Sequence, residues 1–346
     1  MSGGVDSSVA AVLSQREGYR CAGATMLLCN DLVSQPEHSP VDDARSVAMR
    51  LGMDFYVIDA QAEFKERVVS YFVASYETGL TPNPCIQCNR HLKFSFFLDK
   101  ALELGYDTVV TGHYAKIRKD EVTGRYLLCK AADAAKDQSY FLACLNQHQL
   151  AHSRFPLGEL TKEQARQIAE AEGLINARKR DSQDICFIPD GDYVAFMKRY
   201  TQKDYPCGEY LDLDGNVVGK HAGAICYTLG QRKGLGIALG VPAYVCKKDM
   251  EKNTVTVGPE SALFATTLRA KDWNWFTFET LTEPLRVMAK ARYRHIPQWA
   301  TVYPEEDGFA RVEFDEPQRA ITPGQSIVLY EGDYVVGGGT ITEVLP

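Results

Sequence analysis

The residue types best suited to chemistry fall in three short runs. The first, Ser2-Gly3-Gly4-Val5-Asp6-Ser7-Ser8, opens a helix-like segment. Two glycines let the backbone approach an anion closely, and the free amides and dipole of a helix N-terminus favour phosphate there. Ser7 and Ser8 add hydroxyl donors, and Asp6 could hold Mg²⁺ against a phosphate. The Gly-x-x-x-x-Gly-Lys-Ser/Thr loop is absent, so no lysine of that kind reaches a γ-phosphate. A bare Gly-Gly pair would read as a ligand-free helix start, but the whole run is far more specific.

The second run is Asn83-Pro84-Cys85-Ile86-Gln87-Cys88-Asn89-Arg90. Pro84 biases Asn83 to an extended conformation, which places the cysteines in a loop before a helix expected from about Lys93. A thiol near a helix start and beside Arg90 and Lys93 should have a lowered pKa. Cys-x-x-Cys is also half of a zinc site, yet no second pair appears at suitable spacing. A redox dithiol would need a thioredoxin-like setting that the motif lacks. The third run, Asp181-Ser182-Gln183-Asp184-Ile185-Cys186-Phe187-Ile188-Pro189, holds a cysteine between apolar residues, which taken alone is usually a small buried hydrophobe. The same bland reading applies to Cys21, Cys29, Cys129, Cys144, Cys207, Cys226 and Cys246.

The elements that must position these runs change character along the chain. Helical spacing of Val5, Val9, Val12 and Leu13, a strand at 22–28, a helix at 41–51 and a strand at 54–60 come first. A helix at 64–76, a helix at 93–104 and a strand at 108–111 follow. Such alternation implies a parallel sheet with helices on both faces, and ligands bind at the carboxyl ends of its strands. The tips to watch are Met26 and Gly112-His113. The pattern stays helical from Leu160 to Tyr200, with Thr161 as N-cap and Glu163 and Gln164 in the first turn. After Pro206-Cys207-Gly208 short Val-, Thr- and Tyr-rich runs alternate with turn residues, and Asp272–Phe278 opens a last β unit. The expected architecture is an α/β catalytic domain with a helical extension (1–200), a small β-rich domain (201–265) and a C-terminal β-barrel (266–346).

The 346 residues suit several domains, and 45% apolar with 24% charged residues is ordinary globular composition. No apolar stretch is long enough for a membrane helix, and no secretion signal is evident at the start. A cytoplasmic protein without a membrane partner is expected, with its cysteines mostly unpaired. The net charge of −7 is misleading about nucleic acid, because residues 301–346 hold nine acids and two bases and account for all of it. Basic clusters remain at Arg178-Lys179-Arg180, Lys198-Arg199 and 290–294. Each alone reads as a solvated surface.

The Ser-Gly-Gly-x-Asp-Ser-Ser run looks like the pyrophosphatase loop of enzymes that cleave ATP between the α- and β-phosphates. With both cysteine motifs, Thr111-Gly112-His113-Tyr114, Lys136 through Leu142, Tyr227 through Gly236, Arg292-Tyr293-Arg294 and Thr322-Pro323-Gly324-Gln325, the chain resembles the bacterial tRNA-specific 2-thiouridylases nearly end to end. The resemblance implies an α/β pyrophosphatase-loop domain that binds ATP with Mg²⁺ and 2-thiolates the wobble uridine of Lys-, Glu- and Gln-type tRNA. It implies ATP contacts from Ser2 to Ser8 (Ser2, Gly3, Gly4, Val5, Asp6, Ser7, Ser8), Met26 and Gly112. Asn83, Pro84 and Cys85 would meet the target base, with Cys88 as nucleophile and Cys186 as persulfide carrier. His113, Lys136, Asp137, Gln138, Arg292, Tyr293 and Gln325 would contact tRNA, and a cysteine desulfurase or sulfur-relay protein would supply sulfur. His113 and Tyr293 suit stacking on unpaired bases.

Two departures stand out. Family members usually carry an apolar strand before Ser-Gly-Gly, whereas this sequence opens at Met1-Ser2; a start further upstream, or a sheet lacking its central strand, is expected. Position 85 is aspartate in some members, a candidate general base, and cysteine here. Competing readings are a small-molecule ligase or amidotransferase with the same loop, and, less favoured, an iron–sulfur protein using Cys85, Cys88 and Cys186.

Overall fold

Gly4 ends in extended backbone, and helix α1 (Val5–Arg16) starts directly after it, burying Val5, Val9 and Val12. The computed structural model describes residues 1–29, 32, 39–179, 185–238 and 240–345. Arg180 and Asp181 to Asp184 of the third motif therefore lie outside the described residues. Strand β1 (Gly23–Leu27), helix α2 (Pro40–Arg50) and strand β2 (Phe55–Asp59) follow α1. The Ser39 hydroxyl caps α2 by accepting from the Val41 amide, and Pro40 fits the first helical position, where no N–H is needed.

β1 and β2 pair in parallel, Gly23 opposite Phe55. A second parallel pair joins β3 (Val109–Val110), within the run expected as a strand, to a short strand at Ser153–Arg154. The parallel α/β layout is present, but among the described residues as two separate pairs rather than one continuous sheet. Met1 lies beside β1: its amino group donates to the Ala24 carbonyl, and its carbonyl accepts from the Thr25 hydroxyl at 2.8 Å.

Residues 61–77 and 84–103 each form one helical run widened by a π-helical stretch, Lys65–Val69 and Cys88–Phe96. The second begins at Pro84, well before Lys93, so Cys85 and Cys88 sit in its first turns and not in a preceding loop. The reason is local: Asn83 accepts from the Cys85 amide at 3.1 Å as N-cap, and Pro84 again occupies the first position. The long helical run expected from 160 to 200 is broken. Lys162–Ala171 starts on Thr161, the expected N-cap, which forms a capping box with Gln164, and stops near Gly173, whose φ of +60° a helix cannot continue; a new helix, Tyr193–Thr201, is capped by Asp192.

Between these helices a hairpin, β4 (Lys116–Lys119) and β5 (Tyr126–Cys129), leaves the α/β layer. The chain then forms a four-stranded sheet from Gly208–Leu211, Val217–His221, Tyr244–Asp249 and Thr254–Gly258, around buried Tyr210, Val245, Val255 and Val257. Six further strands close a barrel: Phe264–Trp275, Leu285–Lys290, Gln298–Pro304, Ala310–Arg319, Ser326–Glu331 and Tyr334–Leu345. The first begins before Asp272 and carries the two tryptophans at its end, stacked at 4.7 Å. Alternate residues point inward (Leu268, Val287, Ala300, Val312, Ile327), giving a dry core by the strand period of two.

The barrel is fastened to the α/β part. Its last strand pairs with β5 at Tyr334–Cys129, and the Asn274 side-chain amide donates to the carbonyls of Ala143 (3.0 Å) and Leu145 (2.8 Å). The Arg125 guanidinium reaches the Trp275 and Phe276 carbonyls at 2.9 and 2.7 Å.

Removing one helix cap should be felt locally. Thr161→Ala should lower hydrogen-exchange protection across Lys162–Ala171 by about fivefold, the equivalent of ~1 kcal/mol. Unchanged protection would show that the capping box does not anchor this helix.

Candidate active site

At the first turn of α1 two glycines stand where only glycine fits. Gly3 has φ +69°, and a Cβ on it would lie 2.6 Å from the Pro40 carbonyl oxygen. Gly112, just past β3, is tighter still: a Cβ there would sit 2.5 Å from the Asp6 carbonyl carbon and 2.7 Å from the Ser7 nitrogen. Gly4 receives no side-chain cap, and Val5 is buried behind the loop. The Ser7 and Ser8 hydroxyls each donate to the Gly4 carbonyl at 3.1 Å, and the Ser2 amide donates to the Ser7 hydroxyl. Met26, half-buried near the carboxyl end of β1, and Gly112 thus take the strand-end positions that the α/β rule assigns to ligands.

Two lysines that motif reading passed over converge on this loop. Lys162 donates to both carboxylate oxygens of Asp6, at 2.7 and 2.9 Å, and its side chain is only 12% exposed. Tyr114 donates to the same carboxylate at 3.0 Å. Lys179 bridges the Gly3 carbonyl (3.3 Å) and Asp43 (2.7 Å), while buried Asn176 donates to the Ser8 hydroxyl at 2.9 Å and keeps a buried amide oxygen without a hydrogen-bond partner. The signal for Lys162 was its place one residue after the Thr161 cap. Lys179 lies in a cluster read as solvated surface. Helix-start amides, backbone exposed by glycine and two cations suit a polyphosphate. Asp6 is the carboxylate suited to a divalent cation beside it.

The thiols form a second centre. Cys88 is buried among Phe64, Val68, Val69, Leu92, Phe187 and Ile188; Cys85 and Cys186 are exposed as whole residues, but their thiols are largely enclosed. Cys186 returns from far along the chain to within electrostatic reach of both Cys85 and Cys88, and the charge of Lys93 acts on all three. The lowered thiol pKa expected from Lys93 and the helix start is overturned. Burial pushes Cys88 up to about 11 and raises Cys85 as well, and Lys93 offsets this only in part. Desolvation disfavours the thiolate more than one nearby cation favours it. Cys186 is also raised, first by a hydrogen bond with Cys29 and then by burial. Among the described residues no three His, Cys, Asp or Glu side chains group as a metal cage.

The residues expected at a tRNA surface are partly engaged within the fold. His113 is half-buried, with Nδ1 2.8 Å from the Thr111 hydroxyl and its ring against Phe94 and Phe155 at 5.7 and 5.9 Å; burial holds its pKa well below the usual value. It is part of an aromatic cluster rather than an open stacking platform. Asp137 accepts from the amides of Ala131 and Ser139, Gln138 accepts from the Tyr114 amide at 2.9 Å, and Gln325 donates to the Thr81 carbonyl at 2.7 Å. Arg292 donates to the Leu229 carbonyl and the Thr322 hydroxyl, tying the barrel to the middle sheet. Tyr293 lies on Phe141 at 4.4 Å with the Lys290 ammonium 5.5 Å from its ring, and feels the charges of Lys136 and Asp137. The two segments 136–138 and 292–293 are therefore brought together.

Known proteins resemble this chain along most of its length. Residues 1–190 match the family model described as the tRNA methyl transferase HUP domain, 194–259 its PRC-barrel domain, and 265–341 the aminomethyltransferase beta-barrel domain. The tRNA-specific 2-thiouridylase MnmA of Acetivibrio thermocellus is 50% identical, over 99% of this chain and 97% of that protein. Those of Clostridioides difficile and Treponema denticola are 48% and 46% identical, over 100% and 99% of this chain and 97% of each relative. Among solved structures, NMN synthetase from Francisella tularensis aligns with a TM-score of 0.34 at 17% identity, over 59% of this chain and 76% of that one.

The raised thiol pKa has a direct readout. In the free protein the alkylation rate of Cys88 by iodoacetamide, followed by peptide mass spectrometry, should climb about tenfold per pH unit between pH 8 and 10. Lys93→Ala should slow it further at fixed pH. A rate that levels off below pH 8 would mean a lowered pKa after all.

Proposed function

The chain belongs to the tRNA-specific 2-thiouridylase family, and we propose that it replaces the C2 oxygen of the wobble uridine of tRNA with sulfur in an ATP-dependent reaction. The observation that carries the reading is the return of Cys186 to Cys85, Cys88 and Lys93, in a chain whose α1 loop offers a polyphosphate seat.

In this proposal Ser2 to Ser8, Met26 and Gly112 hold ATP, with Lys162 and Lys179 as added cations. Mg²⁺ would be held between Asp6 and the phosphates and would supply charge neutralisation there. A uracil C2 oxygen is a poor leaving group, so it first attacks the α-phosphorus and expels pyrophosphate. Asn83, Pro84 and Cys85 position the base. The terminal sulfur of a Cys186 persulfide then attacks C2, and AMP leaves. The Cys88 thiolate attacks Cys186 Sγ, leaving the sulfur on the base and a Cys88–Cys186 disulfide that a thiol reductant reopens.

Substrates would be Lys-, Glu- and Gln-type tRNAs in the cytoplasm, with sulfur from a cysteine desulfurase or relay protein. Lys136, Arg292 and Tyr293 meet the tRNA, while His113, Asp137, Gln138 and Gln325, already bonded inside the fold, shape the surface that it meets.

The test is nucleoside mass spectrometry after incubating the protein with tRNA, ATP, Mg²⁺, a cysteine desulfurase with L-cysteine, and a thiol reductant. Expected are 2-thiouridine, AMP and pyrophosphate in equal amounts. Cys186→Ser should abolish persulfide loading, and Cys88→Ser should load sulfur yet lose at least about 100-fold in net transfer. ATP–pyrophosphate exchange without tRNA, or stoichiometric iron whose chelation abolishes activity, would overturn the proposal.

A further inference from the structure

One run that stands out in the sequence, Tyr227 through Gly236, has no part in the proposed reaction. It belongs to the long loop that leaves the middle sheet after Val217–His221 and returns to it at Tyr244–Asp249. The base of this loop is pinned. The Gly230 amide donates to the Val245 carbonyl at 2.9 Å, and the Val245 amide donates to the Gln231 carbonyl at 3.0 Å. The Gln231 side chain accepts from the Thr228 amide and donates to the Lys233 carbonyl, each at 3.0 Å. Further on, the Leu235 carbonyl accepts from the buried Tyr210 hydroxyl at 2.8 Å, and the Leu235 side chain joins the core of the sheet.

These anchors leave a set of groups turned to solvent without partners. Arg232 and Lys233 are exposed, and among the described residues neither has an acidic side chain in contact. The amides from Arg232 to Ile237 likewise donate to no described residue. Gly234 and Gly236 have φ of +75° and +70°, and a Cβ on Gly236 would meet nothing within 4 Å. Both glycines and Arg232 line an open cleft of about 270 Å³, whose apolar wall is Ile237, Val241 and Pro242. Val241 is 70% exposed there.

We propose that this loop is a grip for the sugar–phosphate backbone of RNA, holding the tRNA substrate on the middle sheet. The proposal rests on the tRNA reading of the proposed function. Unpaired amides in a turn with positive φ form a concavity suited to an anion, and two adjacent cations complete it. The apolar wall suits the ribose beside the phosphate. Neither cation has to give up an ion pair to bind, and neutralising phosphates releases counterions from the RNA. Such contacts hold and orient the nucleic acid without reading its bases. Continuity favours RNA over an acidic protein. Arg292 donates to the Leu229 carbonyl at 3.2 Å, and a Cβ on Gly230 would lie 2.9 Å from Ala320 Cβ, so the loop base abuts the barrel beside Tyr293. The surface of 136–138 and 292–293 thus extends onto the middle sheet.

The experiment measures tRNA affinity of the full chain by fluorescence anisotropy across a salt series. The double variant Arg232→Gln, Lys233→Gln should bind Lys-, Glu- and Gln-type tRNA about tenfold more weakly, to the same extent for each. Its slope of log affinity against log salt should be shallower by about one. Arg232→Lys, which keeps the charge, should retain most of the affinity, and Val241→Glu, which adds a carboxylate to the cleft, should weaken binding as the double variant does. Unchanged affinity and slope in the double variant, while the intact protein still forms 2-thiouridine, overturn the grip and leave the thiolation reading in place. If the intact protein forms no 2-thiouridine but its RNA binding still falls in the double variant, the thiolation reading fails and the grip stands. Slower persulfide loading from the sulfur donor with unchanged tRNA affinity would assign the loop to an acidic protein and overturn the proposal. An intact protein that binds no tRNA overturns both.

Discussion

The backbone of Thr81 is held on both sides by a turn of the barrel. Its amide donates to the Pro323 carbonyl at 3.0 Å, and its carbonyl accepts from Gln325 at 2.7 Å. Gly324, at φ +89°, allows the approach, since a Cβ there would lie 3.0 Å from both Leu80 Cβ and the Thr81 nitrogen. Two residues on, Asn83 caps the helix that carries Cys85 and Cys88. The direction of that helix start, and with it the placement of two thiols, depends on a turn from the far end of the chain. Tyr140, donating to the Ser326 carbonyl at 2.8 Å, repeats the coupling one element away. A β-barrel that contributes none of the proposed reacting groups is in this way part of the site.

The two centres beside that joint have opposite electrostatic character. Two ion pairs flank the start of α1: Asp6 with Lys162, and Asp43 with Lys179. A lysine as enclosed as Lys162 would be costly without its carboxylate, and the pair offsets the desolvation of both groups. A polyphosphate entering the pocket brings a competing partner for each lysine, and Asp6 is then left to a cation. The thiol centre is the reverse, an apolar enclosure with Lys93 as the main charge acting on it. One pocket is built to exchange ionic partners, and the other to keep its groups neutral.

How much of this could be read from the chain follows from the range of each interaction. Local signals were legible: the α1 start at Gly4, the Thr161–Gln164 capping box and the alternation that became the barrel all depend on neighbours within a few residues. Asn83-Pro84 was read as a loop because proline restricts the residue before it, although the same proline is well suited to open a helix and did so. The break in the 160–200 run needed Gly173 to adopt a left-handed backbone, which spacing alone does not reveal. Lys162, Asn176 and Lys179 were missed because each reaches its site through tertiary packing. The engaged state of Arg292 and Gln325 was hidden for the same reason, since their partners Leu229, Thr322 and Thr81 lie in other elements.

The reversed thiol pKa shows which of two local rules wins. A helix start and a lysine both argue for a thiolate, but burial acts on the whole charge of Cys88 and carries it to about 11. At pH 7 the thiolate is then much scarcer than in a cysteine at its ordinary value. The remaining thiolate is more basic and so more nucleophilic. With a Brønsted slope of ~0.45 that gain recovers less than half of the loss on a logarithmic scale. The net effect leaves Cys88 slower than an ordinary cysteine. In the free protein it is therefore poorly disposed to attack a persulfide or to be oxidised. Its proposed role requires a change in its surroundings when substrate is in place, and Lys93, the largest influence already pulling toward the thiolate, is the group through which that change would act.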